Sequence, residues 1–84
     1  MIDRLFEVTL VFSDHEKPYS VEVVIPDAGG VIDQSFRFSD FTDAVMLLND
    51  YANTFRRRRG ELLAFHHETL RRFQANELQF KMKV

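Results

Sequence analysis

Ten positions from Phe41 to Phe73 alternate in steps of four and three residues: 41, 45, 48, 52, 55, 59, 62, 66, 69 and 73. At about 100° per residue this spacing keeps all ten on one side of an α-helix. Ala44, Leu47, Tyr51, Leu63, Phe65 and Leu70 widen the row into an apolar arc of about 160°. Arg59, His66 and Thr69 interrupt it, while Met46, Asn49, Asp50 and Asn53 fall on the other side. Ser39 offers a hydroxyl to cap the start of this helix, with Asp40 and Asp43 supporting its first turn.

Gly60 stands in the middle of the stripe without changing its phase, so two architectures fit. One is an unbroken helix from Asp40 to about Ala75; the other is two helices meeting at Gly60. The basic turn ahead of the glycine resembles a helix end. The lack of a capping Ser, Thr, Asp or Asn at Glu61 argues for continuity. An unbroken helix would reach about 55 Å, against about 23 Å for a seven-residue strand. Half of its stripe would then overhang the sheet and call for a second copy. Broken, both halves lie on one sheet and a monomer becomes feasible.

The remaining segments alternate with period two, the mark of half-buried strands. Phe6, Val8, Leu10 and Phe12 share one face of the first, and Tyr19, Val21, Val23 and Ile25 one face of the second. Ile32, Phe36 and Phe38 share one face of the third; Leu78, Phe80, Met82 and Val84 share one face of a last strand over 77–84. "SDHEKP" and "PDAGG" are turn chemistry and join the first three strands as an antiparallel meander. Gly29 and Gly30 feed a strand, so they read as a turn needing positive φ and not as a phosphate loop. The polar set Glu7, Thr9, Glu22, Ser35 and Arg37 is expected on the open side of the sheet. The expected fold is α+β: a three-stranded antiparallel meander, one long or two short helices on one sheet face, then a C-terminal strand.

With 84 residues there is room for one domain, spanning 1–84. Its 45% hydrophobic and 29% charged residues are a globular balance that argues against disorder. The absence of cysteine excludes disulfides and thiolate metal sites and suits a cytoplasmic setting. No run approaches the 18 or so apolar residues of a membrane span, so no membrane partner is expected. Charge is unevenly spread: residues 1–50 hold ten acids against three bases, net −7, and residues 51–84 hold eight bases against three acids, net +5. Such a split suits an anionic partner or a head-to-tail contact between copies.

Arg56, Arg57, Arg58 and Arg59 form the strongest local signal. On one continuous helix they would circle the axis and complement the end of its macrodipole. Together with Arg71 and Arg72 they form the candidate anion or nucleic-acid contact, although no recognition motif with interleaved exposed aromatics accompanies them. "HHE" at 66–68 lacks the i, i+3 or i, i+4 spacing that lets ligands converge from a helix, so no metal is expected. His66, on the stripe, reads as a hydrogen-bonded core or interface histidine. No nucleophile and base pair stands out, and neither cofactor, small-molecule substrate nor catalysis is inferred. The expected function is a protein-interaction or regulatory module. It would homodimerise through Phe55, Leu62, His66 and Phe73 and engage a protein partner. The alternative is nucleic-acid binding through the arginines.

Overall fold

The computed structural model describes residues 6–82, with side chains as far as Phe73. Its element order is β1 (Glu7–Phe12), β2 (Tyr19–Asp27), β3 (Gly30–Phe38), α1 (Phe41–Arg57), a 3₁₀ turn (Arg59–Glu61) and α2 (Leu62–Met82). The three strands form one antiparallel sheet in the order β1-β2-β3. Period-two alternation fixes its two faces, because a one-residue slip would turn every apolar side chain outward. Val8 pairs with Val23 and Val23 with Gln34; Leu10 pairs with Val21 and Val21 with Phe36. These rows carry the buried face. Glu7, Thr9, Glu22, Ser35 and Arg37 lie exposed on the other, as the alternation predicts.

The β2–β3 turn needs its glycine at one position only. Asp27 and Gly30 close the hairpin, the Asp27 carboxylate accepts from Ala28 N–H at 2.8 Å, and Gly30 adopts φ 147°. Side chains rarely enter that region.

Helix α1 starts one residue later than Ser39 suggests. Asp40 is the cap: its backbone is extended, and its carboxylate accepts from Thr42 N–H at 3.0 Å. A carboxylate there also faces the positive end of the helix dipole. At the other end the chain breaks. Arg58 leaves the helix at φ −141°, ψ 55°, its N–H donates to the Thr54 carbonyl at 2.8 Å, and Glu61 N–H donates back to Arg58. The break lies at Arg58 and not at a left-handed glycine, since Gly30 alone among the described glycines has positive φ. Two helices result, and α2 folds back along α1.

That fold-back moves the centre of burial. The buried residues of α1 are Ala44, Leu47, Tyr51 and Thr54, whereas Val45, Leu48, Ala52 and Phe55 at the centre of the stripe are half-buried. By helical periodicity the two rows differ by roughly 100°. In the buried row Tyr51 meets Phe36 of the sheet on one side and Phe65 and His66 of α2 on the other. The core closes with Val21, Val23, Ile25 and Phe36 below and Leu62 above.

Helix α2 runs on to Met82 through the segment where a closing strand over 77–84 was expected, and Lys83 and Val84 lie outside the described residues. Among the described residues the sheet holds three strands, with β1 and β3 at its edges.

Candidate interaction surfaces

An aromatic rim occupies the end of the sheet where α1 begins. Register puts Phe12, Tyr19 and Phe38 in one row, on the same face as the core but beyond the main cover of the helices. Tyr19 anchors the row: its ring lies 5.6 Å from Phe12 and meets Phe41 edge-on at 5.4 Å. Phe73 of α2 closes the far side, perpendicular to Phe38 at 5.6 Å and 4.9 Å from Phe36. Phe12 is nevertheless 72% exposed, Phe41 53% and Met46 59%. Met46 joins the rim through a shallow cleft that it shares with Phe38, Leu47 and Phe73. Large apolar side chains held in place yet open to water mark a contact surface more often than a scatter of single ones does. Exposed Asp14, Glu16, Asp40 and Asp43 stand in the turns and helix start at this end.

The arginines gather at the opposite end, where α1 turns into α2. All four of Arg56–Arg59 are exposed. Because Arg58 leaves the helix, they cluster at a bend instead of circling one straight axis. Three have local partners: Arg56 donates to Asn53 at 3.1 Å, Arg58 pairs with Glu61 at 3.2 Å, and Arg59 stacks on the Phe55 ring at 4.2 Å. Arg71 and Arg72 do not join them. Arg71 pairs with Glu68, and Arg72 lines the rim-side cleft with Asp43 and Asp50. The six arginines expected to act together thus stand as two groups, one of them interleaved with acids. The exposed pairs contribute little to stability.

The four residues expected at a dimer interface are occupied within one chain. Leu62 and His66 are buried, Phe55 stacks on Phe6 at 4.6 Å, and Phe73 packs on Phe36 and Phe38. The break at Arg58 is the reason: with α2 folded back, the protein's own sheet covers the overhang that would have needed a second copy.

The interruptions in the stripe each meet a neighbour, His66 through one ring nitrogen only. Thr69 donates to the Phe65 carbonyl at 2.9 Å, and buried Thr54 donates likewise to Asp50 at 2.8 Å. His66 Nδ1 lies 2.8 Å from the Tyr51 hydroxyl, while its Nε2 has no partner among the described residues. Burial pushes the Tyr51 phenol up to about 12, with the Thr69 hydroxyl and the Arg72 charge pulling it part of the way back. Burial, helped by the neighbouring His67, holds the His66 imidazole below its ordinary value of 6.5. The pair ties α1 to α2, and burial favours the uncharged form of both groups. His15 is engaged locally, its Nδ1 accepting from Lys17 N–H at 3.0 Å.

Neither the Tyr51–His66 pair nor the rim was evident from the sequence. The pair spans two elements, and the rim depends on which row of the sheet the helices leave open. No protein-family profile, no curated protein and no solved structure matches the chain.

Proposed function

We propose that the protein is a non-catalytic interaction module that takes a protein partner on its aromatic rim. The observation that carries this reading is the pairing of exposure with order at Phe12 and Phe41. Both are more than half exposed, and both are fixed against the same Tyr19 ring. Anchors already held in their bound geometry lose less entropy when a partner arrives, and exposed aromatics are the side chains that dominate interface energetics. The surrounding Asp14, Glu16, Asp40 and Asp43 favour a partner segment with apolar residues flanked by Lys or Arg. The absence of cysteine suits a reducing, cytoplasmic setting for such a module.

Selection from a library of random peptides tests this. The wild-type chain should enrich aromatic or aliphatic sequences with basic flanks, and a Phe12→Ser/Phe41→Ser variant should lose them while staying folded. Retention of the same peptides by that variant would place the contact elsewhere.

A second reading draws on the clustering of Arg56–Arg59 at the bend, which concentrates positive charge at one end of the molecule. Nucleic-acid binding there would be weak, indifferent to sequence and steeply salt-dependent, since it rests on phosphate contacts alone. Glutamine at Arg56, Arg57 and Arg58 should weaken binding of a labelled oligonucleotide equally for all sequences.

A further inference from the structure

We infer that α2 can leave its own sheet and seat on that of a second copy, giving an exchanged dimer in which the two helices of each chain become one. Three observations meet at the junction. The 4-3 spacing of the stripe passes from α1 into α2 without a change of phase. Such continuity is unnecessary for two helices that fold back on each other, but it is what one continuous helix requires. The junction is short, a cap at Arg58 and a single 3₁₀ turn over Arg59–Glu61. Gly60 does not resist straightening: it has no left-handed backbone to give up, and a Cβ there would meet nothing within 4 Å. Finally, the links from α2 to the rest of the chain are a few defined contacts. Among the described residues they include Tyr51 with Phe65 and His66, Phe36 with His66 and Phe73, Phe38 with Phe73, and Leu62 in the core. A second copy can supply every one of them in the same geometry. Tyr51 of each chain would then bond His66 of the other.

Exchange of an identical element is a common route to symmetric dimers, and short hinge segments favour it. In the exchanged form α1 of one copy packs antiparallel to α2 of the other, as it packs on its own α2 in the monomer. The two straightened helices therefore lie side by side and antiparallel, with the junctions facing each other at the two-fold axis. Helix axes in contact are about 8–10 Å apart. Arg56–Arg59 of both copies are brought together there, and their repulsion opposes exchange. Screening with a Debye length of about 10 Å at 0.1 M salt relieves that repulsion. The exchanged dimer is thus favoured by ionic strength, the reverse of an assembly held by complementary charges. This inference does not rest on the proposed function, since exchange replaces Phe73 at the far side of the rim with Phe73 of the second copy and leaves Phe12, Tyr19 and Phe41 in place.

The test is sedimentation equilibrium of the full chain, refolded at high protein concentration and at low and high salt. A hinge variant, Arg58→Ala/Gly60→Ala, favours the continuous helix. Glycine to alanine in a helix interior shifts the balance by up to about fivefold per hinge, hence up to about 25-fold in the association constant. Arg59→Pro has the opposite effect. Proline fits the first residue of the 3₁₀ turn but blocks the continuous helix by clashing with the carbonyl four residues earlier. Expected are a dimer fraction that rises with salt and with Arg58→Ala/Gly60→Ala, a monomer for Arg59→Pro, and no change for Phe41→Ser. The inference fails if the hinge variant stays monomeric at every concentration and salt. It fails equally if Arg59→Pro forms the same dimer as the wild type.

Discussion

The Tyr51 hydroxyl and His66 Nδ1 sit 2.8 Å apart, a side-chain hydrogen bond that joins the two helices. Both groups are shut away from water, with Tyr51 fully buried and His66 1% exposed. A buried polar group left without its partner costs about 1–3 kcal/mol, whereas replacing both partners by apolar groups can be nearly neutral. Tyr51→Phe alone should therefore lower unfolding stability by about that amount. The double variant Tyr51→Phe/His66→Leu should recover much of it, partly because it also removes the unpartnered Nε2. Urea unfolding of the two single variants and the double decides the matter, and additive losses would show that the pair is not coupled.

The same pair sets a pH dependence. The His66 pKa is lowered in the folded protein, mainly by burial and further by His67. Between that depressed value and the ordinary 6.5 of the unfolded chain, the unfolded state binds more protons than the folded one. Stability contributed by neutral His66 is therefore complete above about pH 6.5 and falls as pH drops through that window. The surroundings do not reverse the sign: His67 acts on His66 in the same direction as burial, and burial keeps Tyr51 neutral. Thermal melts from pH 7.5 to 5 should show the midpoint falling, and His66→Leu should flatten that part of the curve. A wild-type profile already flat through this range would show that His66 does not titrate with unfolding.

Much of the sheet was legible because alternation reports burial directly: Val21, Val23 and Phe36 were placed on the inner face by spacing alone, and they are buried. The helices were legible as a stripe but not as a packing arrangement. Continuous phase says which residues share a side, and it cannot say whether the chain bends at Arg58, because a folded-back pair tolerates the pattern that a straight helix requires. Thr54 illustrates the consequence. This threonine is not part of the apolar stripe, yet it is 4% exposed because α2 covers that flank and its hydroxyl donates to the Asp50 carbonyl. Phe12 is the converse case, assigned inward by alternation and left open because the helices stop short of its row.

Capping falls on Asp40 and not on Ser39, the cap that the sequence suggests. Asp40 holds the Thr42 amide at 3.0 Å, and no such bond reaches Ser39 among the described residues. Loss of a helix N-cap costs typically about 1 kcal/mol. Asp40→Ala should thus destabilise by about 0.5–2 kcal/mol, and Ser39→Ala by much less. Chemical denaturation of the pair is sufficient, and an equal or larger loss at Ser39 would move the cap back by one residue.

Phe12 and Phe36 offer the sharpest contrast, since both point to the same face of the sheet and only their positions along it differ. Phe36 is 4% exposed and touches Tyr51, His66 and Phe73; Phe12 is 72% exposed and touches Tyr19. Truncating a buried phenylalanine removes its transfer free energy and leaves a cavity, together about 3–5 kcal/mol. In a domain of this size, whose total stability is of order 5–15 kcal/mol at most, Phe36→Ala should leave a chain that is largely unfolded on warming. Phe12→Ala removes a side chain that is mostly in water already, so stability should change by less than about 1 kcal/mol. A ring that contributes so little to folding yet is held against Tyr19 at the open end of the sheet is available for a partner. Phe12→Ala should accordingly weaken partner binding while leaving the melting midpoint nearly unchanged, and Met46→Glu, also exposed, should be tolerated in the fold just as well. If calorimetry finds Phe12→Ala as damaging as Phe36→Ala, then Phe12 belongs to the core and the rim is not a surface.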